Sequence, residues 1–116
     1  MTSHYELFCD EQGRISFRLL DDSGDLLLQG MPCRGKIDAQ AEIMRARKAL
    51  RSPTGLVPRT TMSGAHIAVL EREDGNTIGR SRRVATGTEL DGLIQQIRAA
   101  GVDATIIDQT RRVARR

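Results

Sequence analysis

The strongest constraint on this chain of 116 residues is an internal register: at an offset of 51 a few identities fall where structure wants them. Gly13 falls on Gly64, Leu19 on Leu70, Gly24 on Gly75, Ile43 on Ile94 and Arg47 on Arg98. Asp22 on Glu73 and Leu27 on Ile78 are like-for-like replacements. The matched positions are turn glycines, strand hydrophobes and helix-core residues. A unit of about 50 residues buries too little surface to fold well alone. The two copies, about 4–55 and 56–110, are therefore expected to share one core in a single domain.

Each copy reads as strands followed by a helix. Tyr5–Cys9 and Ile15–Leu20 flank the Gln12-Gly13 turn, and Leu26–Met31 follows a turn over Asp21–Asp25. In the second copy His66–Glu71 and Thr77–Arg83 are separated by Asp74-Gly75, a strong hairpin signal. Alternation over Ile15–Leu20 sets Ile15, Phe17 and Leu19 on one face and Ser16 and Arg18 on the other, so one face packs and the other is wet. The period then becomes helical. Ala39, Ile43, Ala46 and Leu50 form one stripe, and Leu90, Leu93, Ile94, Ile97 and Ala100 form a second. Thr86 and Glu89 make a capping box, Gly101 suits a left-handed helix end, and Val102–Ile107 reads as a closing strand.

Composition narrows the class of protein. Three aromatic residues and no tryptophan leave an aliphatic core. The longest apolar run, Ile67–Leu70, is far short of the roughly 20 residues of a membrane-spanning helix. The N-terminus lacks a signal-peptide pattern, and two cysteines make no disulfide scaffold, so a cytoplasmic location is expected. The net charge of +3 resides in the tail, where Arg111, Arg112, Arg115 and Arg116 supply four positive charges. Without them 14 basic side chains face 15 acidic ones. The tail, residues 111–116, is expected to be disordered.

The order strand, strand, strand, helix, strand, done twice, can be compared with known families. The residues that carry the comparison are Tyr5-Glu6-Leu7, Phe17-Arg18-Leu19 before the turn ending in Gly24, Ile78-Gly79-Arg80-Ser81, Thr86, Ile94 with Ile97 and Arg98, and Thr105-Ile106-Ile107-Asp108. In these the chain resembles the YegP-like family of small bacterial proteins of unknown function, over roughly residues 4–110. It departs from that pattern at Glu42 and Leu93, where the family tends to place glycine, and in having no aromatic residue after Phe17. The resemblance implies an α+β fold: two fused βββαβ repeats forming one mainly antiparallel sheet, two helices on one face, and C-terminal strands exchanged between the repeats. It implies no activity.

Motifs for chemistry are sparse. Cys33 lies near Arg34 and Lys36, and with His66 it would form a thiol dyad only if the fold joined them. A small buried hydrophobe is the plainer reading of Cys33, and a strand imidazole without a ligand role that of His66. His4 has no ligand spacing either. Asp21, Asp22 and Asp25 crowd a turn, which tight turns favour without any cation. No catalytic, cofactor-binding or metal-binding residue is assigned. The candidate anion-binding residues are Arg80, Arg82 and Arg83, with Arg111, Arg112, Arg115 and Arg116 of the tail. Strand alternation would place Arg80 and Arg82 on one face and Arg83 on the other; an edge strand guarded by charge explains the cluster equally well. The chain thus reads as a non-catalytic monomer acting through its surface on a protein partner, or else as a weak, sequence-nonspecific nucleic-acid or anion binder, with no membrane role.

Overall fold

The computed structural model describes residues 2–110. Its elements are β1 (His4–Cys9), β2 (Ile15–Leu20), β3 (Leu26–Gly30), α1 (Lys36–Arg51), β4 (Leu56–Thr60), β5 (His66–Glu71), β6 (Thr77–Ser81), α2 (Gly87–Gly101) and β7 (Thr105–Asp108). The strands form one sheet in the order β4-β5-β6-β3-β2-β1-β7. Every pairing is antiparallel except β1 with β7. The fold is therefore α+β, with a mainly antiparallel seven-stranded sheet and two helices. Two complete βββαβ copies would need eight strands. One is saved because β4, the strand after α1, is also the opening strand of the second half.

The strand after each helix crosses over. β4 follows α1 but pairs with β5, and β7 follows α2 but pairs with β1. β4 carries Pro58, which cannot donate to a ladder and suits the sheet edge where it lies.

Positions 51 apart make the same contacts. The four hairpin turns start at Asp10, Asp21, Thr61 and Arg72, and each closes with an N–H to C=O bond from the first residue to the fifth. In each the fourth residue is glycine at positive φ: Gly13 (+80°), Gly24 (+86°), Gly64 (+88°) and Gly75 (+87°). Side-chain polar atoms complete them, as Asp21 Oδ1 accepts from the Ser23 and Asp25 amides. Asp10, Asp21 and Asp74 therefore serve their turns. Asp74-Gly75 is not a two-residue loop with both residues at positive φ, because Asp74 keeps negative φ. The Ile15–Cys33 bridge recurs as His66–Val84. At the centre, β3 pairs with β6 as Leu28–Ser81, Gln29–Arg80 and Gly30–Gly79. This register maps onto itself under the 51-residue shift, with Gln29 and Arg80 at its midpoint. A Cβ on Gly79 would lie 2.7 Å from the Gln29 carbonyl oxygen, so this central pairing needs glycine there.

One apolar cluster joins everything. Tyr5, Leu7, Phe17, Leu19, Leu28, Leu56, Leu70 and Ile78 from the strands meet Ala39, Ile43, Ala46 and Leu50 of α1 and Leu90, Leu93 and Ile97 of α2. The α1 residues are the stripe read from the sequence. Thr86 Oγ1 accepts from the Glu89 amide at 3.1 Å, so the α2 cap forms as expected. Two readings need correcting. Gly101 is the last residue of α2 and does not take positive φ; its missing side chain instead admits Leu50, Leu19 and the Tyr5 hydroxyl. Ser16 is buried, its hydroxyl donating to the Gly30 carbonyl at 3.0 Å.

Candidate interaction surface on the open sheet face

Both helices share their core with one face of the sheet, which leaves the other open among the described residues. Register defines a row across that open face: Val57, Val69, Arg80, Gln29, Arg18, Glu6 and Ile107, from β4 to β7. The halves differ in chemistry along it. In the first, Arg18 Nη2 is paired to Glu6 Oε1 at 2.5 Å, and its guanidinium lies 4.6 Å from the centre of the Phe8 ring. That charge is already satisfied. In the second, the equivalent positions of Glu6 and Arg18 are Val57 and Val69, and the ion pair is replaced by aliphatic contact.

Around β5 this half forms a shallow depression of about 520 Å³, lined by Arg59, Thr61, Ile67, Val69, Arg80 and Arg83 among others. Arg59 lies opposite Ile67, and Arg80 opposite Val69. An aliphatic strip is thus flanked by guanidinium groups. Arg59 is 3.7 Å from Glu71, while Arg80 and Arg83 are exposed and make no ion pair or hydrogen bond among the described residues.

The arginine cluster read from the sequence therefore divides differently from strand alternation. β6 ends at Ser81, so the two-residue period stops before Arg82. Arg82 donates to the Leu26 carbonyl at 2.9 Å, and Arg83 joins Arg80 at the depression. Nor is β6 a charged edge strand, since it lies between β5 and β3. Arg111, Arg112, Arg115 and Arg116 lie outside the described residues. Arg59 joins Arg80 and Arg83 from β4, outside the cluster visible in the sequence. Its signal was the Leu56–Thr60 segment, hidden by Pro58.

Cys33 and His66 do not meet. Cys33 bridges to the start of β2 and His66 opens β5. β2 and β5 are three antiparallel steps apart, so their first residues lie at opposite ends of the sheet. Burial pushes the Cys33 thiol up, with Glu42 and Asp38 adding to the effect. That is opposite to the activation a nucleophilic thiol needs. Among the described residues, no group of three or more His, Cys, Asp or Glu side chains is placed to hold a metal ion.

A second concavity, about 650 Å³, separates the end of α1 from the β5–β6 turn. Arg45, Lys48 and Arg72 face Glu71, Glu73 and Asp74 there. Glu42, a departure from the family pattern, accepts from both Arg45 and Arg72. Three positive charges against three negative ones leave this site without a preferred sign of ligand, so the open face is the stronger candidate.

No known family's profile matches the sequence, and no curated protein sequence matches it. Two solved structures do match in shape. YegP of E. coli, described as a protein of unknown function, superposes with a TM-score of 0.88 at 23% identity over 95% of each chain. A UPF0339 protein of Shewanella oneidensis superposes at 0.87 and 21% identity, over 95% of this chain and 93% of its own. This chain has the YegP fold. The resemblance drawn from the residue pattern therefore stands at the level of architecture. Among the described residues no helix is long and apolar enough to cross a membrane.

Proposed function

We propose that this chain is a non-catalytic binding module, a single domain of two repeats, about 4–55 and 56–110, that works as a monomer in the bacterial cytoplasm. It makes a protein contact through the β4-β5-β6 half of its open sheet face, in an accessory role. The observation that carries this reading is the replacement of the Glu6–Arg18 pair by Val57 and Val69 at equivalent positions. Val57 and Ile67 are partly exposed and Val69 is nearly covered, so this half offers a small neutral apolar contact beside its arginines where the first half has a closed ion pair. The test is a photo-crosslinking residue placed at Ile67 in living bacterial cells, with Met44 on the exposed side of α1 as control. Discrete adducts from position 67 and none from position 44 are expected. Equal labelling at both sites contradicts the reading.

The exposed Arg80 and Arg83 favour the alternative, weak sequence-nonspecific nucleic-acid or anion binding together with the tail arginines. Phosphate neutralisation makes such binding steeply salt-dependent. A titration with a single-stranded oligonucleotide at two salt concentrations, on the full chain and on a chain ending at Thr110, tests it. A tail-dominated site loses its affinity on truncation.

A further inference from the structure

We propose that the depression along β5 recognises an extended acidic peptide in which an aliphatic side chain lies midway between two carboxylates four residues apart. This rests on the open face being a protein-contact surface, and it specifies what the partner offers. The spacing comes from the sheet itself. Arg59 and Arg80 stand on the strands either side of β5, opposite Ile67 and Val69, which are two residues apart. With strands about 4.8 Å apart and a rise of about 3.3 Å per residue, their backbones are about 12 Å apart on a diagonal. An extended peptide repeats side chains on one face every two residues, so positions i and i+4 span about 13 Å. Carboxylates at those positions reach the two guanidinium forks once Arg59 leaves Glu71, and the side chain at i+2 falls on Ile67 beside the largely covered Val69.

Charge favours this partner over the chain's own tail and over a polynucleotide. The tail is basic, and among the described residues three arginines at this site have one carboxylate beside them, that of Glu71. A strand of nucleic acid needs aromatic platforms for its bases, whereas the centre here is aliphatic. Phe8, the aromatic residue of this face, lies in the other half and is covered by Arg18. The depression is too open to enclose a small molecule, but an extended segment needs only a shallow contact. Arg83 supplies a third guanidinium for an additional acid.

The experiment is an NMR titration of the ¹⁵N-labelled full chain with the peptide Ser-Glu-Ser-Leu-Ser-Glu-Ser. Saturable shifts confined to the amides of residues 57, 59–61, 66–70 and 78–84 are expected. The Arg80→Glu/Arg83→Glu variant should bind at least tenfold more weakly and regain affinity for the peptide with lysine in place of glutamate. Arg59→Glu, at an exposed edge position, is a second variant with the same expectation. Replacing the peptide leucine by serine should also weaken binding. Unchanged affinity in the charge-reversed variants overturns the proposal, as does absence of binding at millimolar peptide. Tighter binding of oligothymidine at the same amides overturns it in favour of nucleic acid. If crosslinking at position 67 succeeds while the acidic peptide fails, the protein contact stands and its acidic chemistry does not. If crosslinking fails as well, both fall.

Discussion

At the residue scale, buried polar atoms explain more than the apolar pattern does. Tyr5 is fully buried, and its hydroxyl donates to the Gly101 carbonyl at 2.6 Å, closing the end of α2 onto β1. Tyr5→Phe should cost about 1–3 kcal/mol, because a buried acceptor loses its partner while the ring stays packed. Urea unfolding should show a lower midpoint at unchanged slope. The same variant should change the alkaline limb. Burial raises the Tyr5 phenol above its ordinary value of 10, an effect only partly opposed by Arg47. The native state therefore favours the protonated phenol, so its stabilisation is complete below pH 10 and declines as pH rises further. Tyr5→Phe should lose less stability between pH 10 and 11.5 than the parent; an identical decline would mean that other groups govern it. Arg47 and Arg98, matched by the 51-residue shift, show what a recurring identity means physically. Arg47 donates to the Ala104 carbonyl beyond α2 at 2.5 Å, and Arg98 donates to the Leu50 and Ser52 carbonyls at the end of α1, both at 2.8 Å. Arg98 thus caps α1 with a guanidinium, where a cation also meets the negative end of the dipole, while Arg47 ties down the loop that follows α2. Arg98→Gln should cost about 2–3 kcal/mol, since charged hydrogen bonds are lost and carbonyls are left without them. Thermal unfolding would check this, and an unchanged midpoint would show that water replaces the clasp.

At the scale of elements, the two sheet edges are held in different ways. β4 is defended by Pro58 and the charged Arg59. β7 is exposed along its whole length and depends on ties at its ends. Lys36 Nζ pairs with Asp108 Oδ2 at 2.7 Å, and the Gln109 amide donates to the Leu7 carbonyl at 2.8 Å. The Lys36 ammonium, with the Thr110 hydroxyl and amide, holds the Asp108 carboxyl well below the usual carboxylate range. A depressed carboxylate stabilises the native state above its unfolded pKa of about 4, and that contribution is lost as pH falls below it. Asp108→Asn should therefore raise amide exchange in β7 at pH 7 without altering β5, and the difference from the parent should shrink toward pH 2. Uniform exchange changes across the sheet would show that β7 is not a separate unit. These edges also mark what was legible in the chain. β1, β2, β3, β5, β6 and both helices follow from local alternation, helical period and turn glycines. β4 did not, because Pro58 interrupts a segment whose partner supplies most of its order. With β4 unread, Arg59 could not be placed beside Ile67. Arg80 and Arg83 were visible as a cluster, but their side-by-side placement depends on where β6 ends, which no local pattern records.

At the scale of the whole molecule, the two halves are joined by more than an interface. α1 starts at the β1 side of the sheet, where Lys36 reaches Asp108 of the β7 strand paired to β1, and advances over the second half, where Lys48 approaches Glu73 at 3.6 Å. α2 begins after the His66–Val84 bridge and ends on Tyr5 of β1. Each helix therefore buries much of its stripe against strands of the other half, and the apolar cluster is continuous. Cutting the chain after Gly55 would leave β1, β2, β3 and α1. That fragment would expose the β3 edge that now pairs with β6, uncover the part of α1 that lies on β5 and β6, and lose the Arg98 clasp on Leu50 and Ser52. Fifty-five residues without this complement fall in the size range where burial barely offsets chain entropy. The fragment of residues 1–55 should accordingly be unfolded at micromolar concentration, or should associate in pairs through β3. The central register already maps onto itself under the 51-residue shift, so a β3–β3 pairing with Gln29 opposite Gln29 reproduces its geometry. Circular dichroism and sedimentation over a hundredfold concentration range would distinguish these outcomes, with helix content rising as dimer forms. A fragment that folds cooperatively as a monomer would mean that one half holds a sufficient core, and that the crossed helices reflect packing convenience rather than mutual need.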